Sequence, residues 1–198
     1  MSSQTTRKSL RETKRAERQR QQVLGRAAWS LVGLVGVVII GYILWGVFRP
    51  KPGQSVPQLS RTHIQLGDPH EPYNSDPPTS GPHAAPVEAG FYDEAPPDEQ
   101  LVHNLEHGYV IIWYKCATPD DTECQTLKTQ IKDVMARAKP MLIGTDSKKL
   151  VAVPRPAMET LIALTSWGRI DKLTAFDEAE ITDFINTFRN QAPEPGAP

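Results

Sequence analysis

Two histidines four residues apart, His103 and His107 in the stretch HNLEHG from His103 to Gly108, are where this chain could do chemistry. In a helix, positions i and i+4 share a face, so both imidazoles can reach one ion. Zinc-protease helices use the same spacing, with a glutamate directly after the first histidine. Here the glutamate is Glu106, directly before the second histidine. It lies about 100° round the helix from His107, so a protease-type general base is not expected. A third histidine, His83, closes YNSDPPTSGPH (Tyr73 to His83) behind a stiff Gly81-Pro82 turn. The expected metal set is therefore His83, His103 and His107, with Glu106, Tyr73 and Asp76 orienting it through hydrogen bonds.

Imidazole accepts copper, zinc, iron or nickel. The expected ion is copper or zinc, with copper slightly ahead. Met135, Met141 and Met158 could add a thioether, although core packing suits them better. The bland alternative stays open: a histidine pair at this spacing also serves core hydrogen bonding or helix capping.

Cys116 and Cys124 are the two cysteines of the chain. Their spacing is not that of a C-x-x-C redox pair, and a disulfide stapling a strand to the following helix is the simplest expectation. A metal or redox pair is the alternative.

These side chains need elements to hold them. Leu101, Val102 and Leu105 give Asp98–His107 an apolar stripe, with Asp98 as N-cap and Gly108 as stop. Tyr109–Lys115 reads as a buried strand, Asp120–Lys139 as a helix ended by Pro140, and Leu150–Val153 and Leu161–Ser166 as two more strands. Asp177 should cap a last helix carrying Ile181, Phe184, Ile185 and Phe188. Between Thr62 and Pro97, repeated prolines exclude helix and inner strand, yet interspersed His, Tyr, Asn and Phe suggest an ordered loop. The expected fold class is α/β: a small α/β sandwich of short helix, strand, helix, two strands and helix, with a proline-rich ordered N-terminal loop region. Helices are expected on one face of the sheet, and the strand order is left open. A ferredoxin-like or thioredoxin-like half is the nearest familiar form, by analogy alone.

Ahead of this domain, Ala27–Phe48 holds no charged residue over about 22 positions, close to the ~20 that span a bilayer. Trp29, Tyr42 and Trp45 lie near its ends, as interfacial aromatics do. Residues 1–26 carry 8 basic and 2 acidic side chains, and residues 50–198 carry 13 basic and 21 acidic. That asymmetry keeps the N-terminus in the cytoplasm and puts the acidic domain outside the plasma membrane. It also weighs against nucleic acid as a partner. A cleaved signal peptide is the competing reading, disfavoured by the length of the run and the poor cleavage site after it. The expected organisation is a basic tail (1–26) on anionic lipid, a single-pass transmembrane helix (27–48), a Pro/Gly linker (49–60), an extracytoplasmic α/β domain (61–190) and a disordered tail (191–198).

YNSDPPTSGPH, Gly90-Phe91-Tyr92 and HNLEHGYVIIWY together resemble the signature of an uncharacterised family of bacterial membrane-anchored domains, over most of Pro57–Arg189. Pro154-Arg155-Pro156 and Ser166-Trp167-Gly168-Arg169 belong to the same likeness. The resemblance implies an extracytoplasmic domain of bacterial origin and supplies no reaction. Arg169 is expected to border the histidine site, and Trp167 to pack in the core.

Three functions remain. The first is an anchored module holding copper or zinc through the histidines. The second is a structural or partner-binding domain of the cell envelope whose histidines only organise the loop. The third, behind both, is a metal-dependent hydrolase with Glu106 or Asp76 as base. The balance lies against an enzyme.

Overall fold

The structure, a computed structural model, describes residues 29–46, 48–116, 118, 121–140 and 148–197. The basic tail, Ala27 and Met141 lie outside the described residues. The chain divides into two compact units at Pro50–Lys51. In the first unit, helix α1 (Trp29–Gly46) is long and apolar enough to cross a membrane.

The second unit is built on a six-stranded mixed sheet. Its strands are β1 (Gln54–Ser55), β2 (Gly90–Phe91), β3 (Val110–Tyr114), β4 (Leu150–Pro154), β5 (Ile162–Ser166) and β6 (Arg169–Leu173), in the spatial order β1-β6-β5-β3-β4-β2. Helices α2 (Asp98–Glu106), α3 (Thr122–Arg137) and α4 (Glu178–Phe188) complete it. The mixed α/β architecture agrees with the sequence expectation.

β3 is the centre. Its five residues VIIWY are all buried, as a strand covered on both faces must be. Val110, Ile112 and Tyr114 face one core with Leu127 and Ile131 of α3 and Ile181, Phe184 and Ile185 of α4. Ile111 and Trp113 face a second core with Leu101, Val102 and Leu105 of α2. Both faces are thus covered, where coverage of one was expected. β3 and β4 run parallel, which demands a crossover, and α3 supplies it.

β6 was not expected. Arg169, Asp171 and Lys172 break its apolar pattern, but Ile170 and Leu173 still turn inward. Gly168 takes the left-handed backbone (φ +69°) that the two-residue turn from β5 requires. The helix starts also shift. Pro97, not Asp98, is the N-cap of α2, because the Asp98 carboxylate is engaged by Arg155 at 2.8–3.1 Å. Asp121 and Asp177 cap α3 and α4 through their side chains. Cys116 and Cys124 form a disulfide between the end of β3 and the first turn of α3.

Two segments expected to be free lie against the sheet unit. Gln54–Ser55 pairs with β6, and the Leu59 N–H donates to Ser80 Oγ at 3.0 Å. At the other end, the Glu194 N–H donates to the Glu106 carbonyl at 3.0 Å. Lys149, fully buried, donates to the carbonyls of His107, Pro195 and Ala197 and to Asn190 Oδ1 at 2.7–3.1 Å.

Candidate metal centre

The apolar residues of α2 dictate which of its side chains meet the proline-rich loop. Leu101, Val102 and Leu105 pack on the sheet, so His103, Glu106 and His107 take another face. Relative to His103, Glu106 lies about 60° to one side and His107 about 40° to the other. Both therefore flank His103, although they diverge from each other.

The loop brings His83 to this face. Tyr73 donates its hydroxyl to the Pro82 carbonyl at 2.8 Å. Gly81 sits against the Tyr73 ring, where a Cβ would come within 2.7 Å of it, and its φ of +139° excludes most side chains as well. His83 then makes an isolated parallel bridge with the strand-like segment around His63. Its N–H donates to the Thr62 carbonyl at 3.0 Å, and its carbonyl accepts from the Ile64 N–H at 2.9 Å. That bridge carries His63 into the site. Four of the five histidines now lie together: rings 63–83, 63–103, 83–103 and 103–107 have centroids 4.5–5.0 Å apart.

The backbone fixes which ring nitrogens are available. His83 Nδ1–H donates to the Gly81 carbonyl at 2.8 Å, and His103 Nδ1–H donates to the Ala84 carbonyl at 2.7 Å. Each Nδ1 is thereby engaged, which leaves Nε2 directed at the neighbouring groups, the orientation an imidazole has in a metal site. His103 Nε2 accepts from His107 Nε2–H at 3.0 Å, so its lone pair reaches an ion only when His107 turns away. Burial, then the neighbouring histidines, push His103 down to about 4 against the helping bond from Ala84, so its ring is neutral at pH 7.

Glu106, expected to orient the histidines, stands among them. Its carboxylate is buried, and Oε2 lies 2.9 Å from His83 Nε2. The contact is short but is not a hydrogen bond. His83 Nε2 and both Glu106 oxygens are buried atoms without a hydrogen-bond partner. With a proton on His83 Nε2 the two groups form a buried ion pair; without one, two lone pairs face each other. A buried charge in this state is costly unless a cation joins it. Farther out, Arg61 Nε stands 3.9 Å from Oε1 and His63 Nε2 3.9 Å from Oε2.

One ligand atom each from His63, His83, His103 and Glu106 lies within 4.8 Å of all the others. Around a tetrahedral ion with bonds of about 2.0–2.2 Å, donor atoms stand about 3.3–3.5 Å apart. Small side-chain rotations would close the set on a first-row ion. The donor set fits such a group: two imidazoles held by backbone carbonyls, one more on an adjoining segment, and one buried carboxylate without a hydrogen bond.

The other expected residues fall as follows. His107 stands against His103 rather than among the four converging groups. Tyr73 holds the loop. Asp76 binds Arg155, which also grips Asp98 and lies over Trp113. Arg169 does not border the site: it lies over Phe188, in the opposite core, with Nη1 donating to the Gly53 carbonyl. Trp167 is nearer, its ring edge-on to His83 at 6.2 Å. Met158 is buried in the core with α2. His63 was missed, because nothing in SRTHIQ marks it except the histidine itself.

Residues 67–198 match the family model described as protein of unknown function, DUF3105. The chain belongs to this family. The DUF3105 match takes in His83, His103, Glu106 and His107, and it begins after Arg61 and His63. No curated protein and no solved structure matches the chain significantly.

Proposed function

We propose that this DUF3105 protein is a membrane-anchored, extracytoplasmic module that binds one transition-metal ion, zinc or copper(II), through His83, His103 and Glu106 with His63. His107 adjusts the site from beside His103 or enters the coordination sphere. The observation that carries this reading is the facing pair of His83 Nε2 and the Glu106 carboxylate, buried together without a hydrogen bond. A purely structural histidine cluster would give each buried ring nitrogen a hydrogen bond, and His83 Nε2 has only an unaligned contact with the Glu106 carboxylate.

Imidazole and carboxylate donors suit divalent zinc or copper better than copper(I), which prefers sulfur. The apolar helix and the basic tail before it support an anchor with the domain outside. A disulfide fits an oxidising compartment. Glu106, if bound to the metal, is not available as a general base, which favours binding over hydrolysis. The test is elemental analysis of the full chain in detergent after saturation with zinc or copper and exhaustive dialysis. About one ion per chain is expected, and a metal-free product with both ions would overturn the reading.

A further inference from the structure

The candidate centre is closed on two sides and open on a third. His83 and Glu106 are 0% and 1% exposed, whereas the side chains of His63 and Arg61 are 59% and 54% exposed. Arg61 and His63 are alternate residues of an extended segment, and the bridge through Thr62 and Ile64 fixes its backbone against His83. Alternate residues of an extended chain project to the same side. Arg61 thus hangs beside His63 over the same carboxylate. Its Nε is 3.9 Å from Glu106 Oε1, too far for a hydrogen bond, and among the described residues its guanidinium has no hydrogen-bond acceptor.

Charge makes this arrangement asymmetric. A divalent ion held by neutral imidazoles and one carboxylate keeps one positive charge, and Arg61 adds a second on the exposed side. We propose, resting on the metal-binding reading, that the open face takes a small oxyanion, a carboxylate or phosphate. One anion oxygen binds the metal as an added donor, and another accepts from the Arg61 guanidinium. The fork of an arginine matches the two oxygens of such an anion. Both Arg61 and His63 precede the part of the chain that matches DUF3105, so the anion subsite is assigned to this chain's own lead-in segment.

The full chain in detergent is loaded with cobalt(II), and its visible absorption bands are followed during titration with acetate, inorganic phosphate and, as control, chloride. Acetate or phosphate should shift the bands saturably, and Arg61→Met should weaken that response about tenfold or more while cobalt affinity changes much less. Arg61→Lys, which keeps the charge without the fork, should fall between. Cobalt bands that no oxyanion shifts would overturn the subsite and leave the metal reading standing. An anion response unchanged in Arg61→Met would also overturn it, and would reduce Arg61 to offsetting the Glu106 charge. Absence of binding by cobalt, zinc and copper(II) alike would instead overturn the metal reading on which the subsite rests.

Discussion

Glu106 Oε2 and His83 Nε2 lie 2.9 Å apart, both buried, while His83 Nδ1–H donates to the Gly81 carbonyl on the other side of the ring. On the metal-binding reading, the energetics of this pair should depend on whether an ion is present. Replacing Glu106 with Gln removes the buried charge. The metal-free chain should then be more stable by about 1–3 kcal/mol, while metal affinity falls by about 10–100-fold or more. Denaturant melts with and without zinc measure both. A variant destabilised in the metal-free state, with unchanged zinc affinity, would show that Glu106 has a purely structural role.

His103 gives the metal-free domain a pH dependence. Its folded value is held near 4 by burial, against about 6.5 in the unfolded chain. Between these values the unfolded state binds the extra proton. The contribution of neutral, buried His103 is therefore complete above about pH 6.5 and is lost as pH falls toward 4. Urea melts of the metal-free chain across that window should show the decline, and His103→Gln should show a shallower one. Equal slopes would remove His103 as its source.

Lys149 joins the C-terminal end of α2 to the C-terminal segment. Its fully buried ammonium contacts four oxygens and no carboxylate, and burial pulls its titration below the usual lysine range. Lys149→Met would leave those acceptors in a dry site. A loss of about 3 kcal/mol or more is expected, with residues 190–197 becoming sensitive to limited proteolysis. Unchanged stability and protection would show that water replaces the ammonium at no cost.

The disulfide closes a short loop, with a sequence separation of 8. On the loop-entropy model, opening it costs about 2.5 kcal/mol. The Cys116→Ser, Cys124→Ser double variant should melt earlier by that amount and keep its metal affinity, because the bridge lies in the core shared with α3 and α4 rather than beside α2. Loss of metal binding in a folded double variant would contradict this separation.

The central elements were readable because their signals are local. VIIWY can hardly be anything but a buried strand, and the stripes of α2, α3 and α4 repeat at helical spacing. β1 and β2 have two residues each, too few to carry a pattern, and the polar positions of β6 concealed it. His83 and His103 were found because rigid turns and helical spacing leave traces in sequence. His63 left none. Its place depends on one backbone bridge across 20 positions, which no side-chain type encodes. Glu106 was judged by its angle to His107, when its angle to His103 was the one that counts.

The segment that carries His63 and Arg61 is also the segment through which the apolar helix is joined to the sheet unit. A pull on the chain before Lys51 therefore travels toward the site. It first meets the pairing of β1 with β6, then the bond from Val56 N–H to the Gly168 carbonyl, then Gln58 held by Trp167 Nε1–H, and then Leu59 on Ser80. These contacts bear the load in series ahead of His63. Mechanically, β1 would act as a strain relief: tension on the chain before Lys51 would have to peel the edge of the sheet before it displaced His63.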